Sequence, residues 1–272
     1  MAIRVGSRVI RKVYLGTKEI GMGYVGSRDV YPGVDGPIVI PGTLYMVGQS
    51  NDVLYTLNTS TGEASRVGSA NLFGVNEDFP YGLAAIGNTL YMVGLRNRTL
   101  YTLNTSTGEA SRVGSATAFG VNERDPRGLA AIGNTLYMVG RSNRTLYTLN
   151  TSTGEASRVG SATAFGVRED SPYGLAAIGN TLYMVGLSNR TLYTLNTSTG
   201  EASRVGSATI FGANESDPRG LAAIGNTLYM VGASNGVLYT LNTSTGVASR
   251  VGSATRFGVN EGSPTGLEFI PE

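Results

Sequence analysis

The 272-residue sequence contains no cysteine, no histidine and no tryptophan. Without cysteine the chain can form neither disulfides nor thiolate metal sites. Without histidine it lacks the commonest metal ligand and the commonest general base. No apolar run approaches the roughly 18 residues of a membrane-spanning helix, and the first residues lack the apolar core of a signal peptide. We therefore expect no cofactor, no metal and no membrane insertion.

Lysine is absent from residues 43–272, which carry fifteen arginines and sixteen acidic residues. The net charge of +2 arises from residues 1–42, which hold six basic and three acidic residues. A nearly neutral main region argues against a protein that binds the phosphate backbone of nucleic acids. The 39 glycines and 41% apolar content are typical of a globular, turn-rich chain.

A 46-residue unit repeats five times and accounts for residues 43–272. The tetrad Leu-Tyr-Met-Val recurs at this spacing, beginning at Leu44, Leu90, Leu136, Leu182 and Leu228. Between turn signals each unit contains four short segments typical of β-strands, which in one copy are residues 175–178, 182–185, 192–196 and 202–205. The small Ala176 and Ala177 of the first segment suit a crowded position near an axis.

Five four-stranded units predict an all-β fold, a five-bladed β-propeller. A β-solenoid is the alternative, but neither end unit resembles a polar capping repeat. Residues 266–270 repeat the register of residues 174–178, so we expect the C-terminal strand to complete the blade that begins at Thr43. Residues 36–40 align with the same strand, but their flanking prolines fit a sheet poorly.

The phrase GLAAIGNTLYMVG…LYTLNTSTGEASRVG resembles a kelch-type blade, and five copies of this length resemble tachylectin-type five-bladed lectins. The likeness covers residues 43–272 at the level of architecture, although the paired glycines and the tryptophan of kelch repeats are missing. It implies sugar binding and transfers no individual ligand residue.

Residues 1–32 follow a ten-residue period, with Tyr14 and Tyr24 at equivalent positions. The pattern predicts three strand-turn modules, too small to be stable alone. The pattern IRVGSRVIRKVYLGTKEIGMGYVGSRDVYPG resembles N-terminal attachment segments of bacteriophage tail and virion proteins. That resemblance implies an oligomer joined to other virion or fibre proteins, and a virion-surface or extracellular location reached without a signal peptide. Residues 33–42, rich in proline and glycine, are predicted to be a linker.

Two adjacent repeats differ in only two short segments. Units 82–127 and 128–173 differ at six positions, all in the loop between strands two and three or in the loop between strand four and the next strand one. In a blade these two loops lie on the same face, and ten of the fifteen arginines of residues 43–272 fall within them. A constant framework with two variable loops is typical of a binding surface.

The candidate ligand-binding residues are therefore Leu95, Arg96, Arg98, Arg124, Asp125, Arg127, Arg141, Arg144, Arg168, Asp170, Tyr173, Leu187, Arg190, Ser216, Asp217 and Arg219. Neutral drift of exposed loops is the alternative, but drift would also alter the Asn-Thr-Ser-Thr-Gly hairpins of the other face, which stay fixed. The loop acids Glu123 and Asp125, and likewise Glu169 and Asp170, invite a glycosidase interpretation. Fivefold repetition favours several binding sites over one catalytic centre, so we do not expect an enzyme.

Three hypotheses follow. The first is a non-enzymatic adhesin, a bacteriophage fibre component that binds a host cell-surface glycan or receptor through the variable loops. The second is a soluble multivalent lectin that binds sugars in constant crevices between blades. The third is a designed or recently duplicated scaffold.

Overall fold

In a computed structural model of the chain, the described residues are those of six short N-terminal strands and residues 40–272, except 70, 71, 76, 78, 116, 117, 162, 163, 208–210 and 212–214. The chain divides into two compact units, Met1–Ile40 and Pro41–Glu272. The predicted linker at 33–42 falls mainly on residues outside the described ones, as does the alternative closing strand at 36–40.

The first unit contains three antiparallel hairpins, spaced along the chain at the predicted ten-residue period. Their paired strands are Arg4–Val5 with Arg8–Val9, Val13–Leu15 with Lys18–Ile20, and Gly23–Val25 with Arg28–Val30.

The second unit consists of five four-stranded antiparallel sheets, here called blades 1 to 5. Blade 1 comprises Pro80–Ile86, Thr89–Gly94, Thr99–Leu103 and Ala110–Arg112. Blade 2 comprises Pro126–Ile132, Thr135–Gly140, Thr145–Leu149 and Ala156–Arg158. Blade 3 comprises Pro172–Ile178, Thr181–Gly186, Thr191–Leu195 and Ala202–Arg204. Blade 4 comprises Pro218–Ile224, Thr227–Gly232, Val237–Leu241 and Ala248–Arg250. Blade 5 comprises Pro264–Pro271, Gly42–Gly48, Val53–Leu57 and Ala64–Arg66.

Blade 5 confirms the predicted closure. The C-terminal strand pairs with the first strand of the propeller chain, with Leu267 opposite Met46 and Phe269 opposite Leu44. One sheet thus joins the two ends of the 46-residue series, and the all-β five-bladed propeller is confirmed. First strands begin earlier than predicted, at Pro172 and not at Leu175 in blade 3, because proline is tolerated at the first residue of a strand.

The core lies between neighbouring blades, since both faces of each blade are covered. In blade 2, Leu136, Met138 and Val139 of the second strand are fully buried. The loop from blade 1 to blade 2 contains the short 3-10 turn Ala118–Gly120, and its fully buried Phe119 has φ +58°. A positive φ is unfavourable for a bulky residue, and burial of the aromatic ring offsets that cost. Equivalent turns are Leu72–Gly74, Ala164–Gly166 and Arg256–Gly258.

Glycine allows the five first strands to meet at the axis. A Cβ at Gly128 would overlap the carbonyl oxygen of Tyr173, and one at Gly174 would overlap that of Arg219. The first strands therefore approach each other through glycine backbone, and Ala176, the first of the small alanines that follow, is also buried, as the sequence predicted for a crowded position. The packing leaves no space for a water molecule at this level of the axis.

Candidate functional site

The two variable loops of each blade meet at one end of the propeller. In blade 2 the Arg141 N–H donates to the Asp125 carbonyl oxygen at 2.9 Å, which joins the loop between strands two and three to the segment before strand one. The equivalent bonds join Leu95 to Phe79, Leu187 to Ser171, Ala233 to Asp217 and Gln49 to Ser263. We call this end the variable face; it is formed by residues 49–52, 95–98, 141–144, 187–190 and 233–236 with 77, 79–81, 123–127, 168–173, 215–219 and 261–265. The opposite end, with the Asn-Thr-Ser-Thr-Gly hairpins, is the constant face.

A buried glutamate holds the two loops of each blade together. The fully buried Glu123 accepts hydrogen bonds from the backbone N–H groups of Asp125 at 2.8 Å, Ser142 at 3.0 Å and Asn143 at 3.1 Å. Glu169 does the same in blade 3. Hydrogen bonds from N–H groups to a carboxylate are strong, so both loops have a fixed backbone. Glu123 and Glu169, which suggested a glycosidase, therefore have a structural role.

Two constant residues complete this framework. A Cβ at Gly140 would overlap the Glu123 carboxylate, which explains the glycine that ends each second strand. The Asn97 side-chain amide donates to the Tyr101 hydroxyl at 3.0 Å, and burial raises the pKa of Tyr101 above its ordinary value. Both interactions fix the loop ends, so the variable side chains project from a rigid support.

The residues nearest the axis on this face form a packed ring, the axial cluster, made of Tyr81, Arg127, Tyr173, Arg219 and Thr265. The Arg127 guanidinium lies 3.9 Å from the centre of the Tyr81 ring and 4.7 Å from that of Tyr173. The two tyrosine rings meet edge to face at 6.3 Å. Such cation–π contacts are favourable, and more so when water is excluded. The structure buries Arg127 and Tyr173, so we reassign both from direct contact with a ligand to support beneath the face.

Two aspartates, each two residues before an arginine of the axial cluster, neutralise those arginines. Asp125 forms ion pairs with Arg127 and, at 3.2 Å, with Arg141. Asp217 accepts two hydrogen bonds from Arg219, at 2.9 and 2.8 Å. Burial acts to lower the pKa of Arg219, but the hydrogen bonds and charge of Asp217 outweigh it, and the pKa is raised. These aspartates therefore hold side chains in place.

Most of the other candidates reach solvent. Five are exposed, namely Arg96, Arg124, Arg168, Asp170 and Ser216. Nine are half-buried, namely Leu95, Arg98, Asp125, Arg141, Arg144, Leu187, Arg190, Asp217 and Arg219. All sixteen candidates belong to the variable face, so the structure gathers the variation on one surface.

Sequence reasoning missed Phe79. It occupies the position that is Asp125 in blade 2 and Ser171 in blade 3, and 42% of it is exposed. Exposed aromatic rings are common in binding surfaces. The signal was present in the sequence, because an apolar ring replaces small polar residues at this one repeat position.

The described residues hold no cluster of three or more acidic residues placed to bind a metal ion. They also include no helix with the length and apolar character needed to cross a membrane.

Neither the protein-family models nor the curated proteins include a match to this chain. Solved structures do resemble it. A chain in a crystal structure of a nidogen/laminin complex aligns with a TM-score of 0.53 and 11% identity, over 84% of this chain and 98% of the other. A structural-genomics protein of unknown function from Bacteroides thetaiotaomicron aligns with a TM-score of 0.52 and 15% identity, over 100% of this chain and 82% of the other. At such low identity these likenesses support the fold alone.

Proposed function

We propose that this protein is a non-enzymatic receptor-binding protein whose variable face binds a cell-surface glycan. The observation that carries the proposal is the separation of constant and variable chemistry. Buried glutamates and glycines fix the loop backbones in every blade, while the side chains above them change between arginine, aspartate, serine, leucine and phenylalanine. A preorganised backbone loses little conformational entropy when it binds.

The exposed side chains suit a sugar ligand. Phe79 offers an aromatic surface against which a sugar ring can stack, and the exposed Arg124 and Arg168 offer planar hydrogen-bond donors. Arginine, unlike lysine, donates in a fixed fork that matches paired oxygen acceptors. Several weak contacts on one face would give useful affinity when many copies are displayed together.

In this proposal residues 1–32 attach the protein to a virion fibre as a homo-oligomer. Gly42, the start of the first strand of the propeller chain, pairs with Pro271 at the constant-face end of blade 5. The first strand of the propeller chain therefore begins at the end opposite to the variable face. Native mass spectrometry of the full chain is expected to give an oligomer, and a monomer would refute this part of the proposal.

A soluble lectin is the second candidate, favoured by a groove on the constant side of blade 2. The groove has a volume of about 500 Å³ and polar lining residues that include Thr148, Asn150, Ser152 and Glu155. Blades 1 and 3 have identical residues at these positions. This candidate predicts several equivalent sites that are insensitive to changes on the variable face.

Two substitutions that copy residues from other blades separate the candidates. Phe79→Ser places the residue of blade 3 in blade 1, and Glu155→Val places Val247 of blade 4 in the groove of blade 2. On a glycan array with the full chain, we expect F79S to weaken binding about tenfold or more, the range for loss of an aromatic contact, and E155V to have no effect. Weaker binding by E155V together with unchanged binding by F79S would favour the soluble lectin over the adhesin. An array on which no glycan is bound would refute both candidates.

A further inference from the structure

At each junction between blades, the end of the loop between strands two and three meets the segment that precedes the first strand of the next blade. Arg144, the last residue of the loop between strands two and three of blade 2, forms an ion pair with Asp170, which precedes the first strand of blade 3. These two residues are 26 positions apart in the sequence. Both side chains are substantially exposed, at 43% and 64%. This ion pair identifies the two repeat positions that meet on the variable face at each junction between blades.

At the junction between blades 1 and 2 the same two positions hold Arg98 and Arg124. The backbone repeats at this point, because Arg98 and Arg144 have φ values of +48° and +49°. The sequence is also identical from the end of each loop to residues 121 and 167, so the two positions are delivered by the same scaffold. The fold therefore brings two guanidinium groups to the place where the next junction has an arginine and a carboxylate.

Neither arginine has another partner to neutralise it. Within the described part of the chain, Arg98 and Arg124 form no ion pair or side-chain hydrogen bond, whereas Arg127 and Arg141 share Asp125. Arg124 is exposed and Arg98 is half-buried. Glu77 and Glu123, the other nearby acids, are fully buried, and Glu123 accepts three backbone hydrogen bonds. Two guanidinium groups at these equivalent positions repel each other unless an anion lies between them.

We propose that Arg98 and Arg124 form a clamp for an oxyanion and that the glycan of the proposed function is acidic, with a carboxylate or a sulfate at this position. Two arginine forks can each donate paired hydrogen bonds to such a group. The other junctions do not offer this chemistry: Arg144 is paired with Asp170, the third junction has Arg190 and Ser216, and the fourth has Gly236 and Gly262. In the sequence the fifth junction has two acidic residues at these positions, Asp52 and Asp78. The acidic glycan rests on the proposed function, whereas the binding of an oxyanion by Arg98 and Arg124 does not.

The repeat supplies matched variants for the test. Arg124→Asp copies the residue of blade 3, so it recreates the Arg144–Asp170 pair at the first junction and is expected to fold normally. Asp170→Arg makes the reverse change and creates a second clamp between blades 2 and 3. The first arm measures thermal stabilisation of the full-length protein by inorganic sulfate, with equal ionic strength of chloride as the reference. The second arm measures binding to an array that contains matched neutral, carboxylated and sulfated glycans.

We expect sulfate to stabilise the wild type more than chloride does, to stabilise R124D less than the wild type, and to stabilise D170R more than the wild type. Binding of acidic glycans should fall about tenfold or more in R124D, since each charged hydrogen bond contributes that much. Equal sulfate stabilisation of wild type and R124D would overturn the clamp. Loop-dependent binding of neutral glycans only would overturn the acidic ligand and leave the proposed function standing. Sulfate binding lost in R124D without any glycan bound would uphold the clamp and refute the proposed function.

Discussion

Glu268 breaks the repetition of the innermost strands and should make the stability of the propeller depend on pH. It lies in the closing strand where the other blades have Ala84, Ala130, Ala176 and Ala222. Burial raises the pKa of Glu268 from 4.5 to about 8, and hydrogen bonds from the backbone N–H groups of Ala85 and Phe269 only partly oppose the shift. The carboxyl is therefore largely protonated in the folded protein at pH 7.

The sign and size of the effect follow from linkage. The unfolded chain releases this proton near its ordinary pKa of 4.5, whereas the folded protein holds it up to about pH 8. The free energy of unfolding therefore falls as pH rises through this interval and changes no further outside it. The full shift corresponds to about 5 kcal/mol. Because the residue remains partly exposed, solvent screening reduces the expected change to about 2–4 kcal/mol.

The substitution Glu268→Ala gives blade 5 the alanine of the other four blades. Urea unfolding of wild type and E268A at intervals from pH 4.5 to 9 measures the effect. We expect the difference between the two proteins to shift by about 2–4 kcal/mol in favour of E268A across this range. Glu109→Ala, at an exposed hairpin of the constant face, is the control and should leave the pH dependence of the wild type unchanged. Parallel curves for wild type and E268A would refute the reasoning.

Two further substitutions test the framework of the variable face by chemical denaturation. Glu123→Ala removes the buried acceptor of three backbone N–H groups and should lower the free energy of unfolding by about 3–5 kcal/mol. The exposed Glu109→Ala should change it little, and equal effects of the two substitutions would contradict the structural role of Glu123. Gly128→Ala should destabilise by more than about 3 kcal/mol, because the new Cβ overlaps the Tyr173 carbonyl at the axis. A Cβ at Gly133 meets no neighbouring atom, so Gly133→Ala should destabilise by only the roughly 1–2 kcal/mol that its positive φ costs. A greater loss of stability in G133A than in G128A would contradict the axial packing.

The architecture was predictable because its signals are local. Turn residues separate alternating apolar segments, which predicted the four strands of each blade, and residues 266–270 repeat the register of 174–178, which predicted the closing strand. Both were confirmed. The strand starts were wrong by a few residues, since Pro172 begins a strand that the sequence assigned from Leu175. The sequence also pointed to the small Ala176 as a residue of the crowded first strand, but it did not reveal that Gly174 makes backbone contact with the next blade.

The candidate site was less accessible to sequence reasoning. Variation between repeats identified the loops, but it could not distinguish the buried Arg127 from the exposed Arg124, which differ by three positions in the same loop. It also could not distinguish the buried Glu123, whose carboxylate accepts three backbone hydrogen bonds, from an acidic residue that faces solvent. Phe79 was overlooked although the other blades have small polar residues at its repeat position, and its exposure in the structure shows that it belongs to the surface.

The sequence alone determined the number of blades, the closure of the ring and the confinement of its variation to two loops, since each depends on a period that can be counted along the chain. Only the tertiary structure decided which loop residues meet across neighbouring blades and which are buried near the axis. Contacts such as Arg144 with Asp170 arise between separate sheets, and their distances depend on how closely five glycine-bearing strands approach one another when the ring closes.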